Sequence, residues 1–150
     1  MSSYQSTAVR EFLLEECDTF EYILLGDLRD LLEEPADDLT CKWLIAVLDA
    51  LLQTLPREFE LQDEGGYLAE VIEEFPNWSG HVDQLLEERE LLFQKLRQLR
   101  ERITQQVSFA ETAQRVRHDL RDWMLSLAAH HRHERRLVQT AFNLDVGVGD

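Results

Sequence analysis

The sequence is poor in the residues that interrupt regular structure. Its 150 residues include only three prolines and six glycines, and two of those glycines fall among the last four residues. A sheet of many short strands needs many turns, and glycine and proline are the main turn formers. Their scarcity therefore excludes a many-stranded sheet and favours a few long helices.

Cysteine, basic charge and long apolar runs are also scarce. The two cysteines, Cys17 and Cys41, predict reduced thiols in a cytoplasmic chain. Thirty acidic residues against 15 basic ones give a net charge of −15, which disfavours nucleic acid and anionic membrane surfaces as partners. The longest apolar run, Trp43–Leu48, is too short to span a bilayer, and no secretion signal opens the chain. We therefore expect a soluble cytoplasmic protein.

Periodicity and breakers predict four long helices and one short one. The long helices are expected over about 7–33, 40–64, 79–105 and 108–142, with a short helical turn over 67–74 and an extended tail over 143–150. Thr40 is expected to cap the second long helix, and Pro56 to kink or split it. Short connections and a length typical of one domain predict a single all-α domain over 1–150, an antiparallel up-down four-helix bundle.

Polar residues interrupt the apolar seams of these helices at neighbouring levels. The fourth long helix is apolar along its seam except at His130 and Glu134, and the third except at Arg89. The second ends its seam with Glu58 and Gln62. Because antiparallel helices rise about 1.5 Å per residue, these breaks fall within one or two turns of a common level. The sequence therefore predicts a polar cluster of these five residues inside the core.

Several readings of the pattern stay open at this point. In the first helix, either Glu21 or Phe20 faces inward. A register shift at Pro56 would place Phe59 inside instead of Glu58, and Arg89 could extend its guanidinium past its own stem to solvent.

The remaining chemistry-bearing side chains have simpler expected places. We expect His131 and His133 to point to solvent, and His81 and His118 to lie at the surface. We expect all three tryptophans, Trp43, Trp78 and Trp123, to anchor the core.

Three segments of the chain resemble the hemerythrin-like domain family, in particular a bacterial branch of it. Leu55–Tyr67 is similar to the segment with the helix-two ligands, Leu85–Arg89 to the helix-three segment, and His130–Asp150 to the helix-four segment and closing tail. The resemblance implies an antiparallel four-helix bundle with a non-haem di-iron centre, whose histidine and carboxylate ligands come from all four helices.

The sequence departs from that family at most of the ligand positions. Helix two of the family supplies a histidine and a glutamate where this chain has Glu58 and Gln62, and helix three supplies a histidine where it has Arg89. Helix one supplies a histidine, but no histidine precedes His81 here. Cys17, Asp18 and Glu21 are the nearest candidates in helix one, and only the helix-four pair His130 and Glu134 is kept.

An arginine at a ligand position argues against iron. The guanidinium has no lone pair and stays protonated. At about 4–6 Å and an effective dielectric near 20, one unit of charge repulsion costs about 3–4 kcal/mol, and iron carries more than one charge. We expect the Arg89 guanidinium to stand where the metal would be, bonded to Glu58 and Glu134, with Gln62 and His130 filling the remaining bonds.

The resemblance and these departures lead to two functional readings. The first is a hemerythrin-like bundle with a degenerate, metal-free centre and no cofactor, acting as a structural or interaction module for a protein partner that the sequence does not identify. The alternative is a non-haem di-iron protein for oxygen binding, redox sensing or iron handling, using His130, Glu134, Glu58 and Glu21. An enzyme is not expected, and the pattern does not indicate an oligomeric state.

Overall fold

The computed structural model of the chain describes residues 3–65 and 67–148, with side chains placed for 8–63, 68 and 70–140. Every long element among them is helical, which confirms the prediction of an all-α chain. The five helices are α1 (Ser3–Leu31), α2 (Asp38–Gly65), α3 (Tyr67–Glu74), α4 (Ser79–Thr104) and α5 (Phe109–Val148). A 3₁₀ turn, Pro76–Trp78, joins α3 to α4. The four predicted long helices thus correspond to α1, α2, α4 and α5.

α2 is capped three residues earlier than predicted. The carboxylate of Asp37 accepts a hydrogen bond of 2.8 Å from the backbone N–H of Thr40, so Asp37 caps the helix and Thr40 lies within it. The cap bond also lowers the pKa of Asp37, because bonds from the backbone and hydroxyl of Thr40 stabilise its charged form. Asp37 is the better cap because its carboxylate meets the free N–H groups of the first turn with a full charge.

Neither a split of α2 at Pro56 nor the predicted extended tail over 143–148 is present in the described residues. α2 runs through Pro56 without splitting, although an interior proline removes one backbone hydrogen bond. α5 continues to Val148, so the predicted extended tail is wrong for residues 143–148, and 149–150 lie outside the described residues. A lone glycine such as Gly147 weakens a helix by only about 1 kcal/mol, which is too little to end one.

Ion pairs between the helices show that α4 and α5 run antiparallel. Arg102 of α4 pairs with Asp119 of α5 near one end, at 2.6 Å. Further along, Glu88 of α4 pairs with His130 of α5, at 2.8 Å. Residue numbers fall along α4 as they rise along α5, so the two chains point in opposite directions.

The same reversal appears between two other pairs of helices. For α2 and α4 the contacts are Asp49 with Arg100 and Asp63 with Arg89. For α1 and α5 they are Glu21 with His131 and, just past the end of α1, Glu33 with Arg121. α1 also packs closely on α2.

The core consists of two apolar clusters. The larger one draws side chains from α1, α2, α4 and α5 and extends along them as far as Leu24, Leu55, Leu92 and Leu127. The smaller one joins α3 to the beginning of α4 and contains Leu68, Val71, Val82 and Leu85, with Leu137 of α5 packed against it. The predicted seams of α2 and α4 are buried throughout, which confirms their helical register.

α2 is the one segment among the described residues that is long and apolar enough to cross a bilayer, judged by length and composition alone. Its leucines Leu44, Leu48, Leu51 and Leu55 are buried in the larger apolar cluster. A helix that supplies a protein core has the same composition, so this feature is weak evidence for a membrane span.

The tryptophans divide between core and surface. Trp123 is buried, and its indole N–H donates a hydrogen bond of 2.9 Å to the carbonyl oxygen of Leu92. Trp78 is half-buried against the smaller cluster. Trp43 is 59% exposed, so its prediction as a core anchor is wrong. The neighbouring Leu44 takes the inward position, and the next residue of a helix points about 100° away.

Replacing Trp123 by phenylalanine is expected to lower the free energy of unfolding by about 1–2 kcal/mol, because a buried hydrogen bond and part of the packed ring are lost. Urea denaturation followed by circular dichroism measures the change. Trp43→Phe is the matched control and should shift the free energy by less than about 0.5 kcal/mol, as is usual at exposed sites. Equal effects of the two changes would contradict the placement of the two rings.

Candidate functional site

A band of buried polar residues separates the two apolar clusters. On α4, Arg89 lies between Leu85 of the smaller cluster and Leu92 of the larger one. On α5, His130 and Glu134 lie between Leu127 and Leu137. The structure buries all five predicted residues of the band, and it adds Glu21 of α1. We call these six residues the polar band: Glu21, Glu58, Gln62, Arg89, His130 and Glu134.

The continuity of α2 places Glu58 inside the band. Because Pro56 does not shift the helical register, Glu58 is only 1% exposed and Phe59 is half-buried beside it. In α1 the register with Glu21 inward is the one observed, and Phe20 is exposed. Two of the three questions that the seam pattern left open are therefore decided in favour of the glutamate.

Arg89 connects three side chains at one edge of the band. Its Nη1 donates to Asp63 Oδ1 at 2.8 Å, and its Nη2 donates to Gln62 Oε1 at 2.9 Å and to Glu134 Oε2 at 3.5 Å. The guanidinium also stacks on Phe59, with its carbon 4.8 Å from the ring centroid. These contacts hold the cation in place from α2 and α5.

Two features of this arrangement differ from the expectation. Arg89 was expected to bond directly to Glu58, but the described contacts connect the two through Gln62. Gln62 accepts a hydrogen bond from Arg89, and its Nε2 lies 3.5 Å from Glu58 Oε1. Asp63 was not predicted, because it lies off the seam and its side chain is 54% exposed. The guanidinium therefore remains buried at 5% exposure while one nitrogen reaches a carboxylate at the protein surface.

His130 is held between α4 and its own helix. Its Nδ1 lies 2.8 Å from Glu88 Oε2, and its Nε2 lies 3.5 Å from Glu134 Oε2, outside hydrogen-bonding geometry. Glu88 also contacts the exposed His133 at 3.2 Å. Glu88 could be recognised as a candidate from the sequence because it directly precedes Arg89. Its contact with His130 could not be predicted, because that contact depends on how α4 is rotated against α5.

His131 joins α5 to α1 at the other edge of the band. Its Nε2 lies 2.9 Å from Glu21 Oε1, and the ring is only 28% exposed. The expectation that His131 points to solvent is therefore wrong. The ring lies beside the seam of α5 and extends towards α1, where its Nε2 contacts the Glu21 carboxylate.

Ionisation in this part of the band follows from burial and shared protons. Burial raises the pKa of Glu58 to about 11, and its hydrogen bond with Glu21 and the charges of Glu21, Asp18 and Glu134 add to the effect. Burial also disfavours the charged form of Glu21, but hydrogen bonds with His131 and Glu58 outweigh it and lower that pKa. Burial opposes the charged form of His131 as well, yet its bond to Glu21 raises its pKa. Near neutral pH, Glu58 is thus a protonated acid that donates to a Glu21 carboxylate.

The residues of the band do not fit a di-iron centre. Arg89 offers only donors, and it binds the Glu134 carboxylate that would serve as a ligand. A cluster of three potential ligand side chains lies instead at the opposite edge: Glu21, Glu58 and His131, with their ligand atoms within 4.8 Å of one another. The structure thus shows a cation fixed by the protein on one side and a histidine–carboxylate cluster on the other.

Comparison with family models, with curated proteins and with solved structures finds no match to this chain. The functional conclusion therefore depends on the geometry of the polar band.

Proposed function

We propose that this chain is a hemerythrin-like antiparallel four-helix bundle in which an arginine-centred cluster replaces the di-iron centre, and that it serves as a structural or interaction module. The observation that carries the proposal is the buried guanidinium of Arg89, bonded to Gln62 and Glu134 at the position where helix three of the family has a ligand.

The packing of the long helices supports the bundle. α4 runs antiparallel to both α2 and α5, α5 runs antiparallel to α1, and α1 packs on α2. One apolar cluster collects side chains from all four. α3 and the 3₁₀ turn then form part of the connection between the second and third long helices of the bundle.

Charge balance explains why an arginine suits this position. A buried carboxylate without a partner is costly, and Glu134 lies almost entirely within the core. The fixed positive charge of Arg89 balances the Glu134 carboxylate, as a metal cation balances the carboxylates that bind it. The polar band then holds the helices in one register without a di-iron centre.

Exposed apolar side chains support an interaction role. Phe12, Phe20 and Ile23 fall on one side of α1 at helical spacing, and Trp43 is exposed on the adjoining α2. Exposed aromatic side chains of this kind are typical anchors in protein interfaces.

The alternative is a non-haem iron protein that uses His130, Glu134, Glu58 and Glu21. It has less support, because Glu88 holds His130 and Arg89 holds Glu134.

Metal analysis of protein purified from iron-replete cells tests the proposed function. We expect at most one iron per chain and no near-ultraviolet absorption from an oxo bridge, because the Arg89 guanidinium leaves no room for a pair of irons. About two irons per chain with that absorption would show that the di-iron alternative is correct.

A variant with the family's ligand residues restored tests whether Glu58, Gln62 and Arg89 occupy the ligand positions of that family. Glu58→His, Gln62→Glu and Arg89→His together reinstate three of the missing side chains. We expect this triple variant, once circular dichroism shows it to be folded, to take up at least several times more iron than the natural chain. A folded triple variant that binds no more iron would contradict the hemerythrin-like assignment of these positions.

A further inference from the structure

Glu21, Glu58 and His131 bring three ligand-type side chains together from three different helices, α1, α2 and α5. Their potential ligand atoms lie within 4.8 Å of one another, and His131 Nε2 is already 2.9 Å from Glu21 Oε1. The Arg89 cluster involves none of these three side chains directly in its described ion pairs.

A second observation points to a ligand at this cluster. Glu58 is 1% exposed, and its buried Oε2 receives no N–H donor; besides Gln62, the hydrogen-bond partners of this carboxyl group are the acids Glu21 and Asp18. Buried carboxylate oxygens normally have a hydrogen-bond partner or a cation. Gln62 holds Oε1, so Glu58 meets the other acids with only a proton between them, and a cation can replace that proton.

The local charge favours a cation. Asp18 and Glu21 from α1, Glu58 from α2 and Glu134 from α5 act on one another through their charges. His131 is the cation whose charge favours the ionised forms of Asp18 and Glu21, and Arg89 binds Glu134. These four acidic groups outnumber the cations, so a dication that displaces the proton of Glu58 improves the local charge balance.

We propose that Glu21, Glu58 and His131 form a binding site for a single first-row transition-metal dication. One imidazole nitrogen with two carboxylate oxygens matches the donors of Zn²⁺, Fe²⁺ and Mn²⁺. Three protein ligands leave one position for water. The ion takes the place of the protons that now link His131 to Glu21 and Glu21 to Glu58.

The geometry is close to what such an ion requires. Ligand atoms about 2.1 Å from a tetrahedral ion lie about 3.4 Å from one another, so side chains whose ligand atoms lie within 4.8 Å must draw together by at most about 1.4 Å. Gln62 orients Glu58 from behind, as second-shell groups do around metal ligands. The partly exposed ring of His131 leaves a path for the ion from solvent.

This inference does not depend on the proposed function. The site uses His131 where the di-iron alternative uses His130, and one dication at this edge leaves Arg89 in its place. Failure of the proposed function would appear as two irons per chain, whereas failure of this inference would appear as absent or misplaced binding of one dication.

Isothermal titration of the full-length chain, stripped with EDTA, by Zn²⁺ and by Mn²⁺ tests the site. We expect one equivalent of Zn²⁺ to bind with a Kd of about 10 μM or tighter. Substitution by Co²⁺ should give visible bands of a four- or five-coordinate ion with nitrogen and oxygen ligands. The absence of saturable binding would overturn the proposal.

Two variants remove ligands and two serve as controls. His131→Gln and Glu58→Gln should each weaken Zn²⁺ binding by about 100-fold or more, beyond the 10–100-fold typical of second-shell changes. His118→Gln removes a distant exposed histidine, and His133→Gln removes a neighbouring one; both should leave binding within about twofold. Helicity by circular dichroism confirms that each variant is folded.

The histidine variants also separate this site from its competitors. A folded His131→Gln that keeps full affinity while His133→Gln loses it would assign the ion to the exposed histidines and overturn the proposal. Loss of binding in a folded His130→Gln, with His131→Gln unaffected, would overturn it in favour of the His130–Glu134 pair.

Discussion

Replacing Arg89 by leucine is expected to lower the free energy of unfolding by about 3–5 kcal/mol, the range typical of removing one partner from a buried ion pair. The change leaves Glu134 within the core without its cation and removes the donor to Gln62. Asp63 contributes little to the loss, since its carboxylate lies largely in solvent. Urea denaturation at pH 7, in EDTA, measures the effect.

Arg102→Leu is the matched control on the same helix. Arg102 pairs with Asp119 at 2.6 Å near the protein surface, where solvent screens the pair, and its loss should cost less than about 1 kcal/mol. If Arg89→Leu costs no more than Arg102→Leu, the guanidinium does not neutralise a buried carboxylate, and the charge-balance explanation fails.

Combining Arg89→Leu with Glu134→Gln identifies the charge responsible. If the main penalty is the unpaired Glu134 carboxylate, the double variant should be about 1–3 kcal/mol more stable than the sum of the two single losses predicts. Strict additivity would place the effect of Arg89 elsewhere, in its stacking on Phe59 or its bond to Gln62.

The second large effect is expected in the pH dependence of stability. The folded-state pKa of Glu58 is about 11, whereas an ordinary glutamate has a value of 4.5, so between these values the folded chain holds a proton that the unfolded chain has released. Stability from this group is fully present below pH 4.5 and falls by about 1.4 kcal/mol per pH unit as pH rises towards 11. His131, whose pKa is also raised, contributes a loss of the same sign above its ordinary value of 6.5.

Glu58→Gln removes the proton while keeping the shape and the donor of the acid form. The free energy of unfolding of this variant, minus that of the natural chain, should therefore increase by about 4 kcal/mol between pH 6 and pH 9. Urea denaturation at several pH values in EDTA gives this difference.

Glu87→Gln, at an exposed position of α4, controls for a general change of charge and should give a difference that does not vary with pH. A flat difference for Glu58→Gln as well would mean that Glu58 is already ionised at pH 6, and the shared proton with Glu21 would be ruled out.

The proposed metal site and the pH dependence of stability both involve the proton that Glu58 holds. In EDTA, the buried acid of Glu58 holds a proton because no stronger cation is present. With a bound dication, the pH-dependent loss of stability should become smaller, because the ion replaces that proton.

Most of the fold follows from local pattern. A core position of a helix recurs every three or four residues, and a polar residue in that series, such as Arg89 or His130, is recognisable without knowledge of any neighbour. This is why the seams of α2 and α4 match the buried residues throughout. The N-cap and the end of α5 were predicted less well, because several residues compete for a cap and a single glycine only weakly opposes a helix.

The sequence by itself determined that long helices bury a polar band containing Glu58, Gln62, Arg89, His130 and Glu134, because helical periodicity is a local property. Only the tertiary structure decided which partners these groups meet. Asp63, Glu88 and His131 lie beside the seams, and their contacts depend on the rotation and axial position of adjacent helices. Those quantities arise from packing of the whole core, so the separation of an arginine edge from a histidine–carboxylate edge is a property of the fold and not of any one helix.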